Sequence, residues 1–243
     1  MANKQLNDLL GYGDLKIYQM KDSFCFSIDS VLLANFISIG KKSKKIIDLG
    51  TGNAVIPLIL AYKYSNVSIV GIEIQKKIYD LAFESIEYNR LSSKIKVLNE
   101  DINNLSKIYP KDSFDIVVSN PPYFKYEKRS LTNESITKTI ARHEIKVTFE
   151  EIVKAAVWLL KENGTFAFVH RPDRLFEFLD ILKKYRLEPK KIQFVYPKMG
   201  KECNAILVEC IKNGNSGLKI ISPLYVHDRD GYTDEILNMF NRK

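Results

Sequence analysis

The chain has 243 residues, 45% of them hydrophobic, with 11 Gly, 8 Pro and 3 Cys. That composition supports a packed core and excludes collagen-like repeats, low-complexity disorder and a disulfide framework. Lys and Arg number 37 against 29 Asp and Glu, a formal charge of +8. Such a balance suits a polyanionic partner but equally fits a Lys-rich solvated surface. Apolar runs are a few residues long, and the segment MANKQLNDLL lacks a basic start followed by an apolar stretch. Neither a membrane span nor a secretion signal is therefore expected, and the cytoplasm is the expected compartment. No metal site is expected from the scattered Cys25, Cys203 and Cys210.

In chain order, a small hairpin is predicted around Gly13 to Met20, then a helix over Ile28 to Ile39 capped by Ser27 or Asp29. From Lys45 onward, short β-branched runs alternate with amphipathic stretches. The predicted strands are Lys45–Leu49, Val67–Glu73, Ile95–Asn99, Phe114–Ser119, Thr165–His170, Lys191–Tyr196 and Ala205–Ile211. Helices are predicted over Val55–Tyr64, Lys76–Arg90, Thr148–Lys161 and Pro172–Tyr185. This alternation predicts an α/β fold with a Rossmann-like, seven-stranded, doubly wound sheet. The sheet is mostly parallel; its last two strands have no room for a crossover helix and form an antiparallel pair at an edge. No linker or repeat divides the chain, so residues 1–243 form one domain, with residues 1–40 as a hairpin and helix packed on it. Phe124 to Val147 breaks the alternation and reads as a long functional insertion.

Three strand ends carry chemistry. After the first, Asp48-Leu49-Gly50-Thr51-Gly52-Asn53-Ala54 places two glycines between a strand and a helix, where backbone approaches a ligand and helix N–H groups face it. A dinucleotide fingerprint would need a third glycine at position 55, which is Val. After the second strand, Glu73 stands where a carboxylate accepts ribose hydroxyls, with Ile74 beside it. After the third, Asp101 and Ile102 are placed to meet an adenine amino group and ring. The sharpest signal closes the fourth strand: Ser119-Asn120-Pro121-Pro122-Tyr123. Two prolines stiffen the corner, holding the Asn120 amide and Pro121 carbonyl as paired acceptors for an NH₂ group, while Tyr123 offers a stacking face.

This corner resembles the signature of class I S-adenosylmethionine-dependent methyltransferases that act on exocyclic or amide nitrogens. Phe24 to Ala34, Asp48 to Pro57, Gly71 to Gln75, Ser119 to Phe124, Ala141 to Glu144, Val169 to Pro172 and Val195 to Lys198 together resemble a narrower family. It is the bacterial tRNA1(Val) (adenine(37)-N6)-methyltransferases. The resemblance implies S-adenosyl-L-methionine as cofactor and the anticodon arm of a tRNA as partner. It implies a catalytic corner of Asn120, Pro121, Pro122 and Tyr123. Asp48, Gly50, Gly52, Asn53, Glu73, Ile74, Asp101, Ile102 and Asn120 would then hold the cofactor. Phe124, Lys125, Arg129, Arg142, His143 and Lys198 would meet RNA, with Lys128 and Lys201 as further phosphate contacts. Ala54 departs from the family's third glycine; alanine allows the turn if its φ is negative. A monomer is favoured. The alternatives are N5-methylation of a release-factor glutamine, methylation of another RNA adenine, a noncatalytic RNA-binding module, and an NAD-dependent oxidoreductase.

Overall fold

A computed structural model describes residues 4–20, 28–42, 44–121, 147–229 and 231–240. Two strands, β1 (Lys4–Asp8) and β2 (Lys16–Met20), form an antiparallel hairpin that begins earlier than the sequence pattern suggests. Helix α1 (Ile28–Phe36) follows. The βα alternation then runs β3 (Lys44–Leu49), α2 (Val55–Lys63), β4 (Val67–Glu73), α3 (Lys76–Tyr88), β5 (Ile95–Asn99), α4 (Leu105–Ile108) and β6 (Phe114–Ser119). The second half holds α5 (Phe149–Leu159), β7 (Leu160–His170), α6 (Leu175–Lys184), β8 (Leu187–Lys198), β9 (Ala205–Lys212), β10 (Lys219–Ile220), β11 (Leu224–His227) and α7 (Asp234–Met239).

Among the described residues the large sheet has nine strands rather than the expected seven, in the order β10-β8-β9-β7-β6-β3-β4-β5 with β11 also on β8. The two extra strands are only two and four residues long. Runs that short carry no readable period, and they become strands only because β8 offers them its free edge. Strands β3 to β7 are parallel. The antiparallel pairing of β8 with β9 is present, but β9 sits inside the sheet between β7 and β8, and β10 and β11 flank β8. Because β9 is antiparallel to both neighbours, β8 points the same way as β7. The carboxyl ends of β3, β4, β6, β7 and β8 thus share one edge.

Apolar side chains cover both faces. On one face α1, α2 and α7 contribute Leu32, Leu33, Leu58, Ile59 and Ile236. On the other, α5 and α6 contribute Ile152, Val153, Leu159, Phe178 and Leu182. Helix α2 buries Val55 through Ala61, on all its sides. A helix apolar all round needs cover all round, and α1 packs against it. Each buried Leu or Ile of α1 contributes about 1.5–3 kcal/mol to this packing. Helix α5 starts with a reciprocal cap, Glu151 N–H donating to Thr148 Oγ1 at 3.2 Å while Thr148 N–H donates to Glu151 Oε2 at 2.7 Å.

Hairpin β1–β2 lies on α3. Asn89 at the end of α3 accepts from Lys16 N–H at 2.9 Å and donates to the Lys16 carbonyl at 2.7 Å, and Tyr18 N–H donates to Ser85 Oγ at 2.9 Å.

Candidate active site at the carboxyl edge of the sheet

The turn between β3 and α2 is held from below. Asp48 is fully buried, and its Oδ2 accepts from Thr51 Oγ1 at 2.7 Å. Its Oδ1 is buried with no hydrogen-bond partner among the described residues. Burial, with a smaller contribution from the charge of Glu73, pushes this carboxyl up to about 7. Asp48 therefore supports the turn from inside rather than facing outward.

Above it, Gly50 and Gly52 have φ of 74° and 57°, a conformation that favours glycine, and a Cβ at either position would point into open space. Ala54 has φ of 65° as well. The condition of a negative φ is not met: alanine stands here in a left-handed turn at a cost of roughly 1–2 kcal/mol. Gly71 in β4 answers a different need, since a Cβ there would stand 2.9 Å from both Cγ2 and Oγ1 of Thr51.

Glu73, 5% exposed, ends β4. One carboxylate oxygen accepts from Gly52 N–H at 3.0 Å and the other from Gln75 N–H at 2.9 Å. Burial raises its pKa above the ordinary carboxylate value, and those two N–H donors oppose the rise. Ile74 follows as an exposed apolar side chain. Asp101 caps a short 3-10 turn, its Oδ1 accepting from Asn103 N–H at 2.8 Å, and Ile102 is buried beneath.

At the end of β6, Ser119 Oγ donates to the Leu49 carbonyl at 2.8 Å, locking this strand end against the glycine turn. Asn120 is next. Its Nδ2 donates to Ser30 Oγ on α1 at 2.9 Å, which orients the amide. A cavity of about 180 Å³ is walled by Ser30, Gly50 to Asn53, Val55, Ile56 and Asn120. Asn53 donates from its Nδ2 to the Tyr18 carbonyl at 2.8 Å, tying the glycine turn to hairpin β1–β2.

Gly50, Gly52, Asn53 and Asn120 thus meet at one cavity. Glu73 reaches it only through its bond to Gly52, and Ile74, Asp101 and Ile102 lie further along the same edge, outside the cavity wall. Pro121 is buried at the corner. Pro122, Tyr123, Phe124, Lys125, Lys128, Arg129, Arg142 and His143 lie outside the described residues. Lys198 is exposed at the carboxyl end of β8. His170, at the end of β7, is buried and accepts from Arg171 N–H at 2.7 Å; burial pushes its pKa down to about 4, which fits a structural group. Sequence reasoning missed Ser30 and Thr51. Both lie within recognisable segments, yet nothing local tells which hydroxyl turns toward Asn120 or Asp48.

A mostly parallel, doubly wound sheet with a glycine turn and a carboxylate at adjacent strand ends is an architecture for nucleotide-like cofactors, class I methyltransferases among them. The family model described as methyltransferase small domain matches residues 26–187. Among solved structures, one described as a predicted O-methyltransferase from Agrobacterium tumefaciens superposes with a TM-score of 0.71 at 20% identity, covering 88% of this chain and 96% of that one. The geranyl diphosphate C-methyltransferase of Streptomyces coelicolor gives 0.55 at 9% identity, covering 75% of this chain and 77% of that one. Both show the fold.

Sequence relatives narrow the class. The tRNA1(Val) (adenine(37)-N6)-methyltransferase of Bacteroides fragilis is 31% identical over 87% of this chain and 86% of its own length. That of Flavobacterium johnsoniae is 28% identical over 94% and 95%. The chain belongs to the methyltransferase small-domain family and, within it, to the family of these adenine-N6 enzymes.

Proposed function

We propose that this protein transfers a methyl group from S-adenosyl-L-methionine to N6 of adenine 37 in the anticodon loop of a tRNA. The observation that carries the reading is Asn120, whose amide nitrogen is committed to Ser30 while its side chain lines the same cavity as Gly50 to Asn53. The relatives named for this activity, and spanned nearly end to end, support the choice of tRNA.

The residues present fit the cofactor. Gly50 and Gly52 leave room where side chains would stand, and Glu73 is a buried acceptor at the neighbouring strand end. Gly50, Gly52 and Asn53 would hold its polar backbone, Glu73 its ribose, and Ile74, Asp101 and Ile102, further along the edge, its adenine. Asp48 contributes by holding Thr51 and hence the turn. When bound, the cofactor supplies an electrophilic methyl group on a sulfonium.

The remaining work is done by the chain. Adenine N6 is a poor nucleophile because its lone pair is delocalised into the ring. Asn120 Oδ1 and the Pro121 carbonyl accept the two N6 hydrogens, contacts that strengthen as positive charge grows on nitrogen. The rigid corner holds the nucleophile in line, and positioning of this kind reaches effective molarities on the order of 10⁵ M or more. The proton leaves to water afterwards. A loop base reaches such a pocket by leaving its stack, which costs least where it is already unpaired. Tyr123 and Phe124 supply the stacking faces; Lys125, Arg129, Arg142, His143 and Lys198 hold the arm.

The test supplies a deuterated-methyl donor with unmodified tRNA, and in a parallel reaction with release factor. Labelled N6-methyladenosine mapped to position 37 is expected. Label in the release factor, with none in tRNA, would overturn the reading.

A further inference from the structure

Beyond the catalytic cavity, the carboxyl edge of the sheet continues across β7 and β9 to β8 and β11. Strand β11 runs parallel to β8 with Tyr225 opposite Tyr196 and His227 opposite Lys198. Residues two apart on a strand share a face, so these four side chains project on the same side of the sheet. The alternate residues Val195, Leu224 and Val226 are buried on the other side in the core. The division is informative, because an alternation with one apolar row buried leaves its second row for solvent or for a partner.

That second row is aromatic and cationic. The Tyr196 and Tyr225 rings lie 5.4 Å apart at 32°, each partly exposed. The His227 ring stacks on Tyr232 at 4.8 Å and 21°. Lys198 and His227 are exposed, and the adjoining turn presents Met199 with 77% of its surface free. Flat π-faces interleaved with positive charge are how proteins hold unpaired nucleotides, through base stacking and phosphate contact. The whole feature lies in residues 195–232, beyond the 26–187 stretch matched by the general methyltransferase model.

The distance also suits RNA. Strands β6 and β8 are separated by β7 and β9, so at roughly 4.8 Å per strand β8 and β11 run about 14–19 Å across the sheet from β6, whose end carries Asn120. A loop with one base in the catalytic cavity spans that gap with a few nucleotides.

We propose that the β8–β11 row of Tyr196, Lys198, Tyr225 and His227 is a second RNA contact, stacking loop nucleotides outside the target adenine and setting which RNA is accepted. This rests on the RNA reading above and extends it to a surface that carries no chemistry. The test measures binding of a fluorescent anticodon stem-loop by anisotropy, without turnover, for wild type, Lys198→Ala and the pair Tyr196→Leu with His227→Leu. Leucine keeps the packing while removing the π-face, and the donor dissociation constant reports folding. The expected result is at least a ten-fold weaker stem-loop affinity for the leucine pair with donor binding intact, and a salt dependence shallower by about one charge for Lys198→Ala. Affinities within two-fold of wild type for both variants would overturn the proposal. So would failure of wild type to bind the stem-loop at all. If wild type binds RNA through this row yet leaves adenine 37 unmethylated, the row stands and the substrate assignment falls.

Discussion

Replacing Asp48 by Asn should change how stability depends on pH. Asp48 is wholly buried beneath the glycine turn, with one oxygen bonded to Thr51 and the other without a partner among the described residues. Its carboxyl is raised from 3.8 to about 7 in the folded protein. The native state therefore keeps a proton that the unfolded chain releases at lower pH. The stabilisation is full below pH 3.8 and is lost as pH rises, the loss being complete near 7. At about 1.4 kcal/mol per pH unit this amounts to about 4 kcal/mol. Asn keeps an acceptor for Thr51 but sets an NH₂ where Oδ1 has no partner among the described residues, at a cost of about 1–3 kcal/mol that does not vary with pH. The variant's stability curve is thus displaced as a whole and also loses the downward slope. Urea denaturation from pH 4 to 8 separates the two: the Asn variant should gain on wild type by several kcal/mol across that range. Parallel curves would refute the reasoning, because a carboxylate that titrates normally contributes no such slope.

The other expectations concern the same turn and corner. Gly71→Ala drives a methyl into Thr51, and should cost about 1–3 kcal/mol in urea and weaken donor binding; a wild-type midpoint with wild-type affinity would show that Thr51 moves freely. Ala54→Gly relieves a left-handed alanine, a gain of roughly 1–2 kcal/mol that exceeds the loss of one buried methyl at about 0.8 kcal/mol. Its melting temperature should therefore rise, and a fall would contradict the balance. Ser30→Ala removes the acceptor that orients the Asn120 amide, so kcat should drop about ten-fold or more with donor affinity nearly unchanged, while Ser30→Thr restores it. Equal turnover in the alanine variant would remove Ser30 from a positioning role.

Much of this protein is written locally. The β-branched runs ending at Leu49, Glu73, Asn99 and Ser119 mark buried parallel strands, and their observed bounds agree with the pattern at Val67–Glu73, Ile95–Asn99 and Phe114–Ser119. Gly50 and Gly52 announce a turn that only residues tolerant of positive φ enter easily, and Asn120-Pro121 announces a stiff corner at a strand end. These signals are legible because backbone sterics and a period of two act within a few residues. Tertiary packing decided the rest. It brought Ser30 to Asn120 across 90 positions and Tyr18 to Asn53 across 35. It buried Asp48 beneath the glycine turn, forced Ala54 into a left-handed conformation, and recruited β10 and β11 to the edge of β8. Each of those outcomes depends on which surface arrives opposite, and a side chain's neighbours across a fold are set by the cores it must help close, not by the residues beside it in the chain.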